Sequence, residues 1–98
     1  MYGTVARMRM KPGMDARYAD LEREFEARQV PGFVAQVTYW MDADPNEFYL
    51  AVVFESKEAY VANANDPEQD AMYRKFREVL EADPAWHDGE IIYTAGVT

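Results

Sequence analysis

No cysteine occurs in the 98 residues, which excludes disulfides, zinc–thiolate sites and thiol nucleophiles together. That absence fits a reducing compartment. Histidine is nearly absent too: His87 stands alone, so no multi-histidine metal site can be built from this sequence. Basic residues are few, 10 against 18 acidic ones, for a formal net charge of −8. Nucleic-acid binding draws much of its affinity from Lys and Arg on phosphates, so this balance speaks against such a partner. The bases are also scattered, apart from Arg74, Lys75 and Arg77. Long apolar runs are missing: nothing approaches the ~20 residues of a membrane span, and Arg7, Arg9 and Lys11 interrupt the first segment where a signal peptide would be apolar. A cytoplasmic protein with no nucleic-acid and no membrane partner is expected. Gly-rich phosphate loops, the nucleophile-elbow serine motif and the H-E-x-x-H zinc motif are likewise absent.

What remains is apolar and aromatic enough, at 49% and 14% of residues, to fold around a core. The length suits a single domain over residues 1–98. Tyr2 to Met10 suits a strand, ended by Lys11-Pro12-Gly13. Met14, Tyr18, Leu21 and Phe25 then recur at helical spacing, with Arg17, Asp20, Arg23, Glu24 and Glu26 mostly off that stripe, until Pro31-Gly32. Phe33 to Asp42 and Glu47 to Glu55 read as a hairpin around Ala43-Asp44-Pro45-Asn46. Ser56 caps a short helix to about Asn63, and Asp66-Pro67-Glu68-Gln69 opens another, with Met72, Phe76, Val79 and Leu80 as its buried stripe. Asp83-Pro84 stops it. After a turn at His87-Asp88-Gly89, a last strand is predicted over Glu90 to Ala95.

The predicted architecture is therefore α+β, a ferredoxin-like βαββαβ order with the second helix in two pieces, giving a four-stranded antiparallel sheet with its helices on one face. The third predicted strand is apolar in both directions: Phe48, Leu50, Val52 and Phe54 alternate with Tyr49, Ala51 and Val53. A sheet with one wet face would not need that pattern. Covering ~600 Å² of apolar surface at ~25 cal/mol per Å² yields roughly 15 kcal/mol gross, against a comparable association cost. A homodimer packed sheet against sheet is the expected remedy.

Chemistry-bearing residues are sparse. Asp42, Asp44 and Asn46 open like an EF-hand loop, but Glu47 stands where Gly is required and Val53 where the bidentate Glu should be, so a solvated acidic turn is expected. His87 reads as a surface residue, or as a general base oriented by Asp88. The aromatic set Tyr39, Trp40, Tyr49, Tyr60, Tyr73, Trp86 and Tyr93 is large for so small a core. It serves either the core and the dimer interface or a pocket for a flat aromatic ligand. Asn63 is either a helix C-terminal residue or a buried amide in that pocket.

Lys11-Pro12-Gly13, Val30-Pro31-Gly32-Phe33, the Asp44-Pro45 hairpin and Phe54-Glu55-Ser56-Lys57-Glu58-Ala59-Tyr60, taken in this order, resemble the antibiotic biosynthesis monooxygenase (ABM) domain family of dimeric α/β-barrel proteins. The resemblance spans nearly the whole chain. It implies a homodimer holding a small aromatic ligand in each subunit, and a monooxygenase that uses no cofactor and no metal, in which oxygen reacts directly with a deprotonated polycyclic phenol or quinol. The protein then positions substrate and stabilises the developing anion. On this sequence the resemblance points to Asn63 and Tyr73 as catalytic residues, and to Tyr39, Trp40, Tyr60, Arg7 and Arg9 as substrate-binding ones. It leaves the base unassigned, because a tyrosine with a pKa of ~10 is a donor at neutral pH. The haem-degrading relatives carry Trp and an axial His on the helical segment where this chain has Asn63 and Tyr73, a departure that speaks against haem oxygenation.

Two other functions compete. A non-catalytic module that sequesters an aromatic or lipophilic ligand needs no base. An RNA-binding module shares the βαββαβ order, but Glu47-Phe48-Tyr49-Leu50 lacks its basic-glycine-aromatic signature.

Overall fold

The computed structural model describes residues 1–96. Its elements run β1 (Tyr2–Arg9), α1 (Asp15–Ala27), β2 (Phe33–Trp40), β3 (Glu47–Phe54), α2 (Lys57–Ala64), α3 (Pro67–Val79) and β4 (Ala85–Glu90). The strands form one antiparallel sheet in the order β2-β3-β1-β4, the ferredoxin-like arrangement. Both crossovers skip a neighbour, so β1 and β3 become the central strands and β2 and β4 the edges.

Local chemistry sets the boundaries. The Ser56 side chain accepts from the Ala59 N–H at 3.1 Å and starts α2. Asp66 accepts from the Glu68 N–H at 2.8 Å, with Pro67 at the first helical position of α3. The end of α1 comes earlier than Pro31-Gly32 predicts: the helix stops at Ala27, and Gln29 takes the left-handed conformation at φ 52° that a glycine usually supplies. Gly32 is required for another reason. Its φ is +78°, and a Cβ there would meet the Ala59 Cβ at 2.5 Å, so its small size lets α2 close against the start of β2.

The last strand corrects the sequence reading. β4 lies at Ala85–Glu90, not Glu90–Ala95, and His87-Asp88-Gly89 is extended backbone paired with Val5, Thr4 and Gly3. Its ladder to β1 makes this segment a strand, while the apolar run after it passes beyond the pairing. Ile92 and Tyr93 are 93% and 81% exposed.

The core sits between the sheet and the helices. β1 contributes Ala6 and Met8, β3 contributes Phe48 and Leu50, and the helices add Tyr18, Leu21 and Val79, with Met10 and Leu80 bridging the end of the layer. Tyr18 packs edge-on against Phe48 at 5.0 Å and Phe76 at 5.7 Å between centroids, and burial pushes its phenol pKa upward. Among the described residues no helix is long and apolar enough to cross a membrane.

Candidate functional site

Strand alternation sends Thr4 and Met8 of β1, Leu50, Val52 and Phe54 of β3, and Trp86 and Asp88 of β4 toward the helices. The two helical pieces after β3 do not fill the space above them, and a cavity of about 430 Å³ remains. Its walls are largely apolar. Tyr60 and Asn63 enter from α2, Tyr73 and Phe76 from α3, and Trp86 and Asp88 from β4. That volume falls within the range of small-molecule sites.

Several polar atoms in this cavity are distinctive. Thr4 is 5% exposed, and its hydroxyl lies beside Tyr60, where it opposes the rise in that phenol's pKa without making a well-formed hydrogen bond; the buried Asn63 Oδ1 has no partner among the described residues. A buried polar atom without a partner costs about 1–3 kcal/mol, and Asn63 Oδ1 is free to accept from a donor placed in the cavity. The Tyr60 hydroxyl donates to Asp88 Oδ1 at 2.8 Å. Edge-on packing against Tyr2 at 5.2 Å and Phe54 at 5.6 Å fixes the Tyr60 ring. Burial first, and the Asp88 carboxylate second, push the Tyr60 pKa up to about 12. Tyr73 stands 6.3 Å from Trp86 between ring centroids, and burial raises its phenol pKa as well.

The electrostatics are one-sided. Glu22, Asp70 and Asp88 line the cavity, and none of its described lining residues is Lys, Arg or His. Glu22 is held by the Gln36 amide at 2.8 Å and Asp70 by Arg74 at 2.9 Å. Among the described residues Asp88 has no such cation, and it accepts from the neutral Tyr60 hydroxyl.

Of the residues singled out from the sequence, Asn63, Tyr73 and Tyr60 come together here. The others do not. Arg7 and Arg9 lie on the opposite face of the sheet, since odd positions of β1 point away from the helices. Arg7 pairs with Glu47 at 2.8 Å, and Arg9 pairs with Asp44 and with Glu81. Tyr39, opposite Tyr49 on that same outer face, is 51% exposed. Trp40 faces inward but at the far edge, against Phe48 and Tyr18, where it borders a shallow groove between α1 and β2. His87 points to the outer face opposite Val5, so the reading of it as a base oriented by Asp88 fails: strand neighbours point to opposite sides. Asp44 is occupied by Arg9 and by the Asn46 N–H at 3.0 Å, as an acidic turn requires. Thr4, Trp86 and Asp88 are additions that the sequence reading missed. Placing 85–90 as a strand would have brought Trp86 and Asp88 to the same face as Thr4.

Known proteins share this arrangement. SnoaB, a cofactor-independent oxygenase from Streptomyces nogalater, superposes with a TM-score of 0.81 at 14% identity, covering 98% of this chain and 97% of its own. A candidate antibiotic biosynthesis monooxygenase from Chloroflexus aurantiacus gives a TM-score of 0.77 at 23% identity, over 99% and 98% of the two chains. A further candidate from Caulobacter crescentus gives 0.80 at 13%, over 94% and 90%. Likenesses at these identities establish the fold. No curated protein matches the sequence. The sequence profile of the family described as antibiotic biosynthesis monooxygenase matches residues 1–75, which include β1 through α2 and most of α3. The chain therefore belongs to the antibiotic biosynthesis monooxygenase family.

Proposed function

We infer that this protein is a cofactor-independent monooxygenase of neutral hydroxyarenes, polycyclic phenols or quinols, working in the cavity between the sheet and the helices α2 and α3. The observation that carries this reading is an aromatic-walled cavity of about 430 Å³ lined by two buried oxygens, Asn63 Oδ1 with no partner among the described residues and Thr4 Oγ1 with no well-formed hydrogen bond beside Tyr60. A flat hydroxyarene fits such walls and supplies the donors those oxygens lack. The three carboxylates and the absence of a lining cation favour a ligand that enters uncharged.

For a phenol the reaction balances as one substrate plus one O₂ giving one quinone and one water. One oxygen atom is inserted at carbon, the other leaves as water, and the four electrons come from the substrate. The chain's share is to hold the ring between Tyr73, Trp86 and Phe76 and to present neutral donors to the developing arenolate. The Tyr60 and Tyr73 hydroxyls, the Trp86 indole N–H and the Asn63 amide are the groups available. Arg7 and Arg9 have no part in it. Both tyrosines are held protonated across neutral pH by their raised pKa values.

A homodimer is part of the same reading. Val5, Val37 and Tyr39 are about half exposed on the outer sheet face, at 48%, 49% and 51%, and a second copy laid against that face would cover them.

The test is oxygen uptake by purified protein over a panel of naphthols, hydroxyanthrones and hydroquinones, with ¹⁸O₂ as tracer. One labelled atom in the quinone and one in water are expected. No uptake above the uncatalysed rate with any of them sinks the catalytic reading. Ligand-dependent thermal stabilisation without turnover would then favour sequestration of an aromatic ligand, which the cavity's lack of a cation for an anionic intermediate also fits.

A further inference from the structure

We propose that Asp88 is the proton acceptor of this site and that the Tyr60 hydroxyl relays the substrate's proton to it. The inference rests on the hydroxyarene reading above and adds the base which that reading leaves open.

Four observations converge on Asp88. It lines the cavity, and it accepts from the Tyr60 hydroxyl at 2.8 Å. Of the three carboxylates there, it is the one free of a side-chain amide or guanidinium partner: Glu22 is bound by Gln36 and Asp70 by Arg74. Finally, it belongs to an exposed edge strand, so a proton it receives passes directly to water. Tyr60 is fixed by Tyr2, Phe54 and Asp88, which points its oxygen at a constant place in the cavity.

In the step itself the substrate O–H bond breaks and its electron pair stays on the substrate oxygen. The proton moves onto Tyr60 Oη as the Tyr60 proton moves onto Asp88 Oδ1. Tyr60 ends the step as a phenol again, now donating to the arenolate. Asp88 ends as a carboxylic acid that water deprotonates after dioxygen has taken the electrons. The negative charge migrates from Asp88 to substrate without changing the cavity's total. A site that holds carboxylates and no lining cation can therefore form an anion: the base gives up its charge as the substrate acquires one. Tyr60 is held protonated to about pH 12, which suits a relay and disqualifies it as the base.

Other titratable groups near this pair are Tyr2 on β1, Lys57 on α2, Asp70 and Tyr73 on α3 and Glu22 on α1, while Glu90 is the next carboxylate along the inner face of β4. They define the controls. With 1-naphthol as substrate, Asp88→Asn should lower kcat by about a hundredfold or more, with KM and 1-naphthol binding within about threefold. The asparagine oxygen still accepts from Tyr60, so the ring stays in place. The rate of this variant should rise toward wild type as the naphthol ionises at high pH. Asp88→Ala should regain activity with added formate, since the strand edge is open to a small carboxylate. Tyr60→Phe should lower kcat with little change in binding, and Glu90→Gln should leave kcat and the pH profile unchanged. Wild-type turnover with Asp88→Asn within threefold of it, or a variant rate that does not rise as the naphthol ionises, overturns this assignment and leaves the hydroxyarene reading intact. An inactive wild type removes both.

Discussion

Within β3, Phe48, Leu50 and Phe54 are sealed beneath the helices at 0%, 8% and 1% exposure, whereas Tyr49, Ala51 and Val53 between them stay partly open on the other side. The two faces are built from the same strands with similar apolar content. Helices cover one face, and nothing among the described residues of a single chain covers the other. On the inner face the cavity is small, with polar atoms at Thr4 and Asn63, and it suits a small ligand. On the outer face the opening is broad, from Val37 and Tyr39 across to Val5, and it asks for a surface as wide as the sheet itself. The proposed site and the proposed dimer would thus answer separate deficits of one sheet.

The largest effect belongs to the closed face. Phe48 is fully buried and touches both Tyr18 and Trp40, so Phe48→Ala should cost about 3–5 kcal/mol in urea unfolding. A loss below ~1 kcal/mol would mean that the helices do not seal this face.

Next comes the open face. If a second copy covers it, Val37→Glu places an unpaired charge in the contact and should weaken association by about a hundredfold or more. Light scattering should then report two chains for the wild type and one for the variant at micromolar concentration, with the circular dichroism of both alike. A wild type that stays a single chain at millimolar concentration rejects the dimer. The same result would leave an apolar surface in water with no account of how it persists.

The sequence made the architecture legible because the strands and helices carry strong periods and good caps. Met14, Tyr18, Leu21 and Phe25 could share a face only on a helix, and the Asp66-Pro67 start of α3 needs no tertiary context. The last strand was hidden because pairing makes it, not pattern: Ala85–Glu90 is exposed at every residue, while Ile91-Ile92-Tyr93 looks more like a strand yet keeps only the Ile91 N–H bond to the Met1 carbonyl and lies outside the ladder. That misplacement also concealed Trp86 and Asp88, whose side chains reach the cavity only through the register Ala6 to Trp86 and Thr4 to Asp88. Asn63, Tyr60 and Tyr73 were legible because they sit on helices whose faces the sequence fixes locally. Arg7, Arg9 and Tyr39 lie on the outer face of the sheet, away from this cavity, since composition says nothing of which strand face a residue takes.

A smaller effect, of opposite sign, separates binding from stability on the inner face. Thr4→Val keeps the β-branched shape and removes a buried hydroxyl that makes no well-formed hydrogen bond. The ligand-free variant should gain about 1 kcal/mol in urea unfolding while binding 1-naphthol more weakly than wild type. If the variant is less stable when empty, the Thr4 hydroxyl already has a partner in the free protein, and the case for a donor-bearing ligand weakens with it.

The smallest effect is electrostatic and lies at the seam between α2 and β4. The Tyr60 pKa is raised to about 12 in the fold, against ~10 in an unfolded chain. Below pH ~10 both states keep the proton, and the stabilisation is present in full. Between ~10 and 12 the unfolded chain releases its proton while the folded one retains it, so stability falls as pH rises, and above 12 this contribution is gone. Tyr60 is partly open to solvent, so the change should fall well short of the ~1.4 kcal/mol per pH unit of a sealed group. Tyr18 and Tyr73 are shifted the same way, so only a difference isolates Tyr60. Urea midpoints of wild type and Tyr60→Phe should be separated at pH 8 and converge toward pH 11, because the phenylalanine has no proton to lose. A gap that stays constant across that range would show that the Tyr60 hydroxyl is not bound to Asp88 in solution, and the edge strand would then be held by its ladder to β1 without help from α2.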